Sequence, residues 1–430
     1  MTKKSRYLIL SACIVFFILA APALLLYVRG IGYDTETGNF YKTGILAVKS
    51  EPKEIDIKLD GKLYKKGAGN LRFIKPKEYL VALEKAGYQT WSKRLNVEAG
   101  KVTWTNPAGQ NIFLFFDKPG EKTVDKKGTA FVQSENRLFY LSGKRLMATS
   151  LSSPEKQDSY DLAFEAIGLT AVPGGKLLAI HTADPKTPWQ IFDGAYGAFL
   201  PLGQNLGEKT QVKYQDGNKL YVLEDSTLFF IDLKSQKKTL VLAGVADLIY
   251  KNGYFYYLAA KNGSLALLYT PDMSQPGALL AENMPMAESA RILLNSEKQA
   301  FVLLDQNLYQ IASKPVLIAE NVTSLELNSE EDTLGIISGS EFLRMNVGAE
   351  KPELVSRSLY PLSKGLVLPD YGYGIFLKEN KVVAEELDTR DHQNEFTLYT
   401  GSELKDYAIS ADAKTLIVLD GTSLKILTLR

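Results

Sequence analysis

Residues 215–233, QDGNKLYVLEDSTLFFIDL, show most clearly the repeating pattern of this chain. Two short apolar runs, KLYVL and TLFFI, are bounded by polar turn residues such as Asp216 and Gly217. Runs of this length, rich in Leu, Val, Tyr and Phe, are typical of buried β-strands. The stretch therefore predicts two paired strands joined by a tight turn.

Similar units of turn, strand, turn and strand occur eight times, at a mean spacing of about 40 residues, which is the length of one four-stranded propeller blade. They begin at Ser134, Pro173, Gln215, Lys251, Asn295, Asn328, Pro369 and Ser410. The chain is therefore predicted to be mainly β, with a β-propeller of eight blades over residues 111–430. Seven blades is the alternative if one irregular unit is an insertion.

The last unit ends at Arg430 and would leave its blade without an outer strand, exposing unpaired backbone. Residues 111–116 (NIFLFF) form an apolar run just before the first unit. We therefore expect this run to close the ring. The turns at 215–218 and 410–413 resemble the S-P-D-G-like corners of TolB-like and YVTN-type propellers. The G-H and W-D signature of WD repeats is absent from the sequence. The resemblance implies a propeller fold but no particular function.

Residues 44–104 predict a separate, compact β module. EIDIKL at 54–59 alternates polar and apolar residues, and Asp60-Gly61 favours a hairpin turn. Together with S-x-P at 50–52 and Gly87-Tyr88, these residues resemble the PEGA domain, a small β-sandwich. The sequence departs from that family at 52–55, where Pro-Lys-Glu-Ile stands in place of Pro-Glu-Gly-Ala. The resemblance implies a surface-exposed, non-catalytic module used for attachment within the cell envelope.

Residues 7–28 contain no charge and, as a helix, would reach about 33 Å and cross a bilayer. Lys3, Lys4 and Arg6 precede them, so the positive-inside rule places the N-terminus in the cytoplasm. We expect a cytoplasmic stub at 1–6, a transmembrane helix at 7–28, a linker at 29–43 and the remainder outside the cytoplasmic membrane.

Two alternative interpretations of this anchor remain. A signal peptidase site would fall at 21–23 (Ala-Pro-Ala), although the apolar run continues beyond it. Residues 10–13 (Leu-Ser-Ala-Cys) spell a lipobox, which would make Cys13 a lipidated residue. All of these interpretations leave the same domains outside the membrane.

Charge is distributed unevenly along the chain. Residues 44–101 carry a net charge of +6 and residues 102–430 a net charge of −8. A basic membrane-proximal module is expected to lie against anionic lipid head groups or wall polymer, with two ordinary solvated surfaces as the alternative.

Catalytic motifs are missing from the sequence: it contains no G-x-S-x-G, no H-E-x-x-H and no phosphate-binding glycine loop. Cys13 is the single cysteine, and there are two histidines. No catalytic residue, metal site, cofactor or nucleic-acid partner is predicted. The alternative is a propeller enzyme acting on extracellular polysaccharide or peptide through a carboxylate pair. The acidic residues considered for it are Asp184, Asp193, Glu224, Asp225, Asp388 and Asp391.

His181 and Trp189 flank a polar loop and are the candidate ligand-binding residues, because aromatic faces stack on sugars. The alternative is a histidine that ends a strand and a tryptophan packed between blades. The function expected from the sequence is a membrane-anchored envelope scaffold. Its propeller loops would bind an envelope protein or a cell-wall glycan, and residues 7–28 would contact the bilayer.

Overall fold

The computed structural model describes residues 3–35, 37–134, 136–203, 205–295, 299–312, 314–328, 333–346, 348–410 and 412–430. Met1 and Thr2 of the predicted stub lie outside them. Helix α1 (Lys3–Val28) contains one segment, Ile9–Val28, that is long and apolar enough to cross a membrane. Its mean hydropathy is 2.8, and none of it is buried against the rest of the chain. Cys13 is exposed on this helix.

The predicted linker 29–43 contains a short β-hairpin. Strands β1 (Ile31–Tyr33) and β2 (Phe40–Lys42) form an antiparallel hairpin directly after α1. Asp34 in its turn pairs with Lys75 of the following module at 2.8 Å. The sequence does not reveal this hairpin, because strands of three residues carry too little periodicity to be recognised.

The module that follows is a two-layered β structure. Its strands are β3 (Gly44–Val48), β4 (Ser50–Glu51), β5 (Asp56–Leu59), β6 (Lys62–Lys66), β7 (Gly69–Ile74), β8 (Lys77–Glu84), β9 (Trp91–Val97) and β10 (Val102–Trp104). One sheet has the order β6-β5-β8-β9 and the other the order β10-β3-β7. Asp60 and Gly61, both with positive φ, make the predicted turn between β5 and β6.

Within the described residues of the larger part, eight antiparallel sheets of four strands follow one another along the chain. Two strands precede them: β11 (Ile112–Phe113) and β12 (Gly120–Asp125). Sheet 1 consists of β13 (Gly128–Ser134), β14 (Arg137–Ser142), β15 (Arg145–Ser150) and β16 (Ser153–Asp161), and sheet 2 of β17 (Ala166–Ala171), β18 (Leu177–Thr182), β19 (Trp189–Asp193) and β20 (Ala198–Leu200). Sheet 3 consists of β21 (Gln211–Asp216), β22 (Lys219–Glu224), β23 (Thr227–Asp232) and β24 (Lys238–Ala243), and sheet 4 of β25 (Val245–Lys251), β26 (Tyr254–Lys261), β27 (Ser264–Thr270) and β28 (Ala278–Met284).

Sheets 5 to 8 continue the same pattern. Sheet 5 consists of β29 (Ala290–Leu294), β30 (Ala300–Leu304), β31 (Asn307–Ile311) and β32 (Pro315–Ala319), and sheet 6 of β33 (Val322–Asn328), β34 (Thr333–Ser338), β35 (Glu341–Asn346) and β36 (Glu353–Arg357). Sheet 7 consists of β37 (Leu362–Leu368), β38 (Tyr373–Lys378), β39 (Lys381–Glu386) and β40 (Glu395–Thr400), and sheet 8 of β41 (Leu404–Ile409), β42 (Thr415–Asp420), β43 (Ser423–Thr428) and β12. A 3-10 turn, Pro369–Tyr371, precedes β38.

Each sheet packs face to face against the next, and sheet 8 packs against sheet 1. Strand β22 shows how one sequence serves two interfaces. Leu220 and Val222 point into the core shared with sheet 2, whereas Tyr221 and Leu223 point into the core shared with sheet 4. Because successive side chains of a strand face opposite ways, a strand between two layers must be apolar throughout. This closed cycle of sheets fits a β-propeller.

The strand that completes sheet 8 is β12, and the prediction that residues 111–116 do so is wrong. β12 pairs antiparallel with β43, whereas β11 pairs in parallel with β4 of the module. Residues Ile112 to Phe115 are all at least 94% buried, between the module and sheets 7 and 8. An outermost strand is largely exposed, so the mostly polar GEKTVD of β12 suits that place and the wholly apolar run does not.

Candidate functional site

A buried ionic network joins the module to sheet 7. Lys93 of β9 is 0% exposed, and its Nζ lies 3.0 Å from Glu386 Oε2 and 3.2 Å from Asp388 Oδ2. Trp91, also fully buried, donates its Nε1 hydrogen to Glu386 Oε1 at 3.1 Å. Asn394 Nδ2 donates to Glu386 Oε2 at 2.7 Å. The carboxylate of Glu386 is therefore satisfied from both units.

Arg390 extends this network to the surface. Its guanidinium binds Asp388 with Nε and Nη2, and the same Nη2 donates to the carbonyl oxygens of Trp104 and Thr105. Burial of Asp388 raises the pKa of its carboxyl group, but the hydrogen bonds from Arg390 and the charge of Lys93 outweigh burial and hold this pKa below its ordinary value. Asp388 is thus held as an anion.

Apolar packing makes the same seam continuous. The core of the module merges with those of sheets 7 and 8 into one cluster, in which Phe113 and Phe115 are wedged. Tyr373 donates its hydroxyl hydrogen to Phe113 O at 3.0 Å, and its ring meets that of Phe115 edge-on. Burial raises the pKa of the Tyr373 hydroxyl well above its ordinary value. The module and the sheets therefore pack as one unit rather than as two domains on a tether.

A groove of about 560 Å³ runs along the exposed side of this seam. Both units contribute to its walls: Glu78, Arg94, Leu95, Asn96, Glu98, Val102, Thr103, Trp104, Pro107, Arg390 and Asp391. The backbone N–H of Arg94 donates to Asp391 Oδ2 at 2.9 Å and lowers the pKa of that carboxyl group. The groove offers one partly exposed indole, amide groups and charges of both signs.

A second cavity, of about 580 Å³, is lined mainly by the first strands of sheets 2 to 5. Lys213 Nζ lies 2.5 Å from Asp247 Oδ1, and the other carboxylate oxygen of Asp247 accepts a hydrogen bond from the N–H of Ile292 at 2.6 Å. Arg291 Nη1 donates to Leu325 O at 2.9 Å. These bonds connect the first strands of sheets 3, 4, 5 and 6 in turn, so the polar groups of this cavity hold fixed positions.

His181 and Trp189, the predicted ligand-binding residues, are cross-strand partners on β18 and β19. Their rings stack with centroids 4.8 Å apart, and both side chains are half-buried. Trp189 packs against the core shared by sheets 2 and 3, and its Nε1 is buried without a hydrogen-bond partner among the described residues. Neither residue lines the cavity of the first strands. Their role in ligand binding stays a prediction.

Five of the six acidic residues considered for catalysis have local partners. Asp184 and Asp193 accept hydrogen bonds from N–H groups two residues later in their turns. Glu224 pairs with Lys238 and accepts from the N–H of Gly207. Asp388 and Asp391 belong to the seam. Asp225 is the sixth and lies in the turn between β22 and β23 with positive φ.

Asp388 and Asp391 of the seam were considered only as candidate catalytic acids, and Lys93 and Glu386 were not predicted, yet one signal for Lys93 exists in the sequence. Along β9, Trp91, Leu95 and Val97 occupy the buried face, and Lys93 stands at the same alternation. A lysine in phase with apolar residues indicates a buried partner of opposite charge. The sequence does not show which carboxylate that partner is.

Among solved structures, the chain is similar to a eukaryotic initiation factor, with 13% identity and a TM-score of 0.50 over 71% of this chain and 86% of that one. It is similar to PorZ, a bacterial surface component of the type-IX secretion system of Porphyromonas gingivalis, with 15% identity, a TM-score of 0.42, and coverage of 69% of this chain and 42% of that one. A third is Hsv2 of Kluyveromyces lactis, with 10% identity, a TM-score of 0.43, and coverage of 64% and 98%.

These identities are low, so the likeness concerns the fold alone. No curated protein matches the sequence of this chain. One family model does match part of the chain, in the region of the β module. Residues 43–109 are identified as a PEGA domain.

Proposed function

We propose that this protein is a membrane-anchored, non-catalytic binding scaffold on the outer side of the cytoplasmic membrane. Helix α1 is its anchor, with the N-terminus in the cytoplasm. The eight sheets are the blades of a propeller, which presents the surface that recognises an envelope protein or a wall glycan. The PEGA domain holds the propeller in place above the membrane.

The observation that carries this proposal is the buried seam. A charge as well enclosed as that of Lys93 requires its two carboxylate partners to stay in position, because an unpaired buried charge is strongly destabilising. The propeller therefore cannot swing freely relative to the PEGA domain. Such a fixed platform suits recognition of a ligand at a set distance from the anchor.

The polar cavity of the first strands supports recognition by the propeller. Ligand sites are concave and contain a few well-placed polar groups, and here Lys213, Asp247 and Arg291 are fixed by bonds between neighbouring sheets. The seam groove is another concave surface with polar and aromatic groups. A scaffold needs no more chemistry than these groups provide.

The first test is topology. Trypsin added to intact spheroplasts that express the full chain should digest the propeller, whereas a cytoplasmic control protein should survive. If the propeller is protected until the membrane is permeabilised, the proposed location is wrong.

The second test is binding of the detergent-solubilised full chain to isolated cell wall, measured by co-sedimentation at low and raised salt. Arg291→Gln should reduce retention, whereas Arg145→Gln should not, because Arg145 forms an exposed surface pair with Asp161. Equal retention of both variants and the unchanged chain would exclude the first-strand cavity as the binding surface. Absence of any retention would refute wall binding and leave an envelope protein as the partner to test.

A further inference from the structure

The hairpin that follows α1 exposes two aromatic rings. Tyr33 and Phe40 are partners across β1 and β2, with ring centroids 5.3 Å apart, and they are 56% and 64% exposed. Tyr27, in the last turn of α1, is 60% exposed. Aromatic side chains grouped beside the end of an apolar helix are the pattern of a membrane–water interface.

The structure also sets the height of the PEGA domain relative to α1. The apolar segment Ile9–Val28 would reach about 30 Å as a helix, which equals the thickness of the hydrocarbon layer. When it spans, Tyr27 lies at the outer edge of that layer. Phe73 on β7 of the PEGA domain stacks on the ring of Tyr27, with centroids 4.5 Å apart. This part of the domain is therefore held at head-group level.

The surface at that level is basic. We call residues 29–33, 40–42 and 72–75 the collar. Its four cations are exposed: Arg29, Lys42, Arg72 and Lys75. Two carboxylates, Asp34 and Glu36, lie between its two strands in the sequence, so the cations are in excess by two. Lys75 pairs with Asp34 just outside the collar. The collar therefore keeps a positive charge where the phosphates of a bilayer would lie.

A concavity of about 390 Å³ lies within the collar. It is lined by two cations, Arg29 and Lys42, together with Ile31, Phe40 and Tyr41. A phospholipid head group has the matching chemistry, an anionic phosphate next to the start of apolar chains.

We infer that the collar binds the phosphate head groups of anionic phospholipids, with Tyr33 and Phe40 inserted beside them. This rests on the proposed anchor, because α1 brings the collar to the bilayer. Collar, PEGA domain and propeller are connected by packed contacts from Tyr27 to sheet 7. Lipid binding at the collar therefore fixes the orientation of the whole extracytoplasmic part and decides which propeller face points away from the membrane.

The test uses the full chain reconstituted in vesicles of phosphatidylcholine, with or without phosphatidylglycerol. In a Cys13→Ser background, a fluorophore is attached to Asn39→Cys beside the collar or to Leu359→Cys, which is 96% exposed on the propeller. Quenching by a lipid-borne nitroxide reports contact with the bilayer, and flotation of the vesicles reports anchoring. We expect quenching at position 39, stronger with phosphatidylglycerol, and none at position 359.

Variants then locate the contact. Arg29→Gln with Lys42→Gln should lower the ratio of membrane-bound to free label about fivefold for each charge removed. Lys62→Gln with Lys66→Gln, on exposed β6 outside the collar, is the matched control and should change little. Free glycerol phosphate should not reduce quenching.

The inference is overturned if the chain floats with the vesicles while positions 39 and 359 are equally unquenched, and the proposed anchor then survives. Equal losses in the collar variant and the β6 variant would show diffuse attraction without a collar site. Competition by glycerol phosphate would assign the collar to a soluble phosphate ligand. A chain that does not float would refute the anchor, and the collar site with it.

Discussion

Replacing Lys93 by methionine removes the cation that faces Glu386 and Asp388 while filling nearly the same volume. Asp388 keeps its pairing with Arg390. Glu386 keeps its hydrogen bonds from Trp91 and Asn394 but loses its buried counter-charge. Breaking a buried pair from one side costs about 3–5 kcal/mol, and the remaining hydrogen bonds place the expected loss near the lower limit, about 3 kcal/mol.

The measurement is urea unfolding of the detergent-solubilised full chain, followed by tryptophan fluorescence. Two of the three tryptophans, Trp91 and Trp104, lie at the seam, so the signal reports its opening. Lys101→Met is the control, because Lys101 pairs with Glu98 on the surface and both are more than half exposed. This control should leave the free energy of unfolding nearly unchanged, because an exposed pair is screened by solvent.

A double variant tests whether charge is the cause. Glu386→Gln keeps an acceptor for the Nε1 hydrogen of Trp91 and removes the charge that Lys93→Met leaves unpaired. The pair of substitutions should therefore recover part of the loss, as a double-mutant cycle would show. If Lys93→Met is no more destabilising than Lys101→Met, the seam is not held by this network and the platform argument fails.

Three further outcomes are expected from other buried groups. The pKa of Asp388 is lowered in the folded state, so this carboxylate stabilises the fold at pH values above the ordinary carboxylate pKa. That stability is lost as pH falls through the folded pKa. Acid titration should therefore open the seam in the unchanged chain, and Asp388→Asn should flatten this pH dependence. Burial raises the pKa of Glu385, which lies opposite Glu395 on β40, so the fold loses stability as pH rises from the ordinary carboxylate pKa through this raised pKa. Glu385→Gln should therefore have a higher urea midpoint at neutral pH, and an unchanged midpoint would contradict this. Tyr407→Phe removes the hydroxyl that lies 2.6 Å from Lys364 O and 2.8 Å from Ile375 O and donates its one hydrogen between them. It should cost about 1 kcal/mol in the same assay, and a loss within error would count against a stabilising role of this hydroxyl.

Local sequence patterns determined a large part of this structure. The apolar helix, the Asp60-Gly61 turn and the recurring strand pairs are each visible within about twenty residues, because backbone turns and burial impose their residue types locally. The regular spacing of these strand pairs, about 40 residues, predicted a series of four-stranded sheets. The PEGA resemblance depended on the same local features and agrees with the family match at 43–109.

Tertiary structure decided the rest, because the deciding partners are far apart along the chain. Trp91 and Glu386 are separated by 295 residues, and no local pattern of charges pairs them. The apolar residues at 111–116 predicted a buried segment, but only the tertiary structure shows that β11 is buried in the seam, paired with β4. The polar strand β12 forms the edge of sheet 8 instead. The residue type at each position indicates whether the side chain will be buried. Which residue it packs against depends on how distant parts of the chain come together in the tertiary structure.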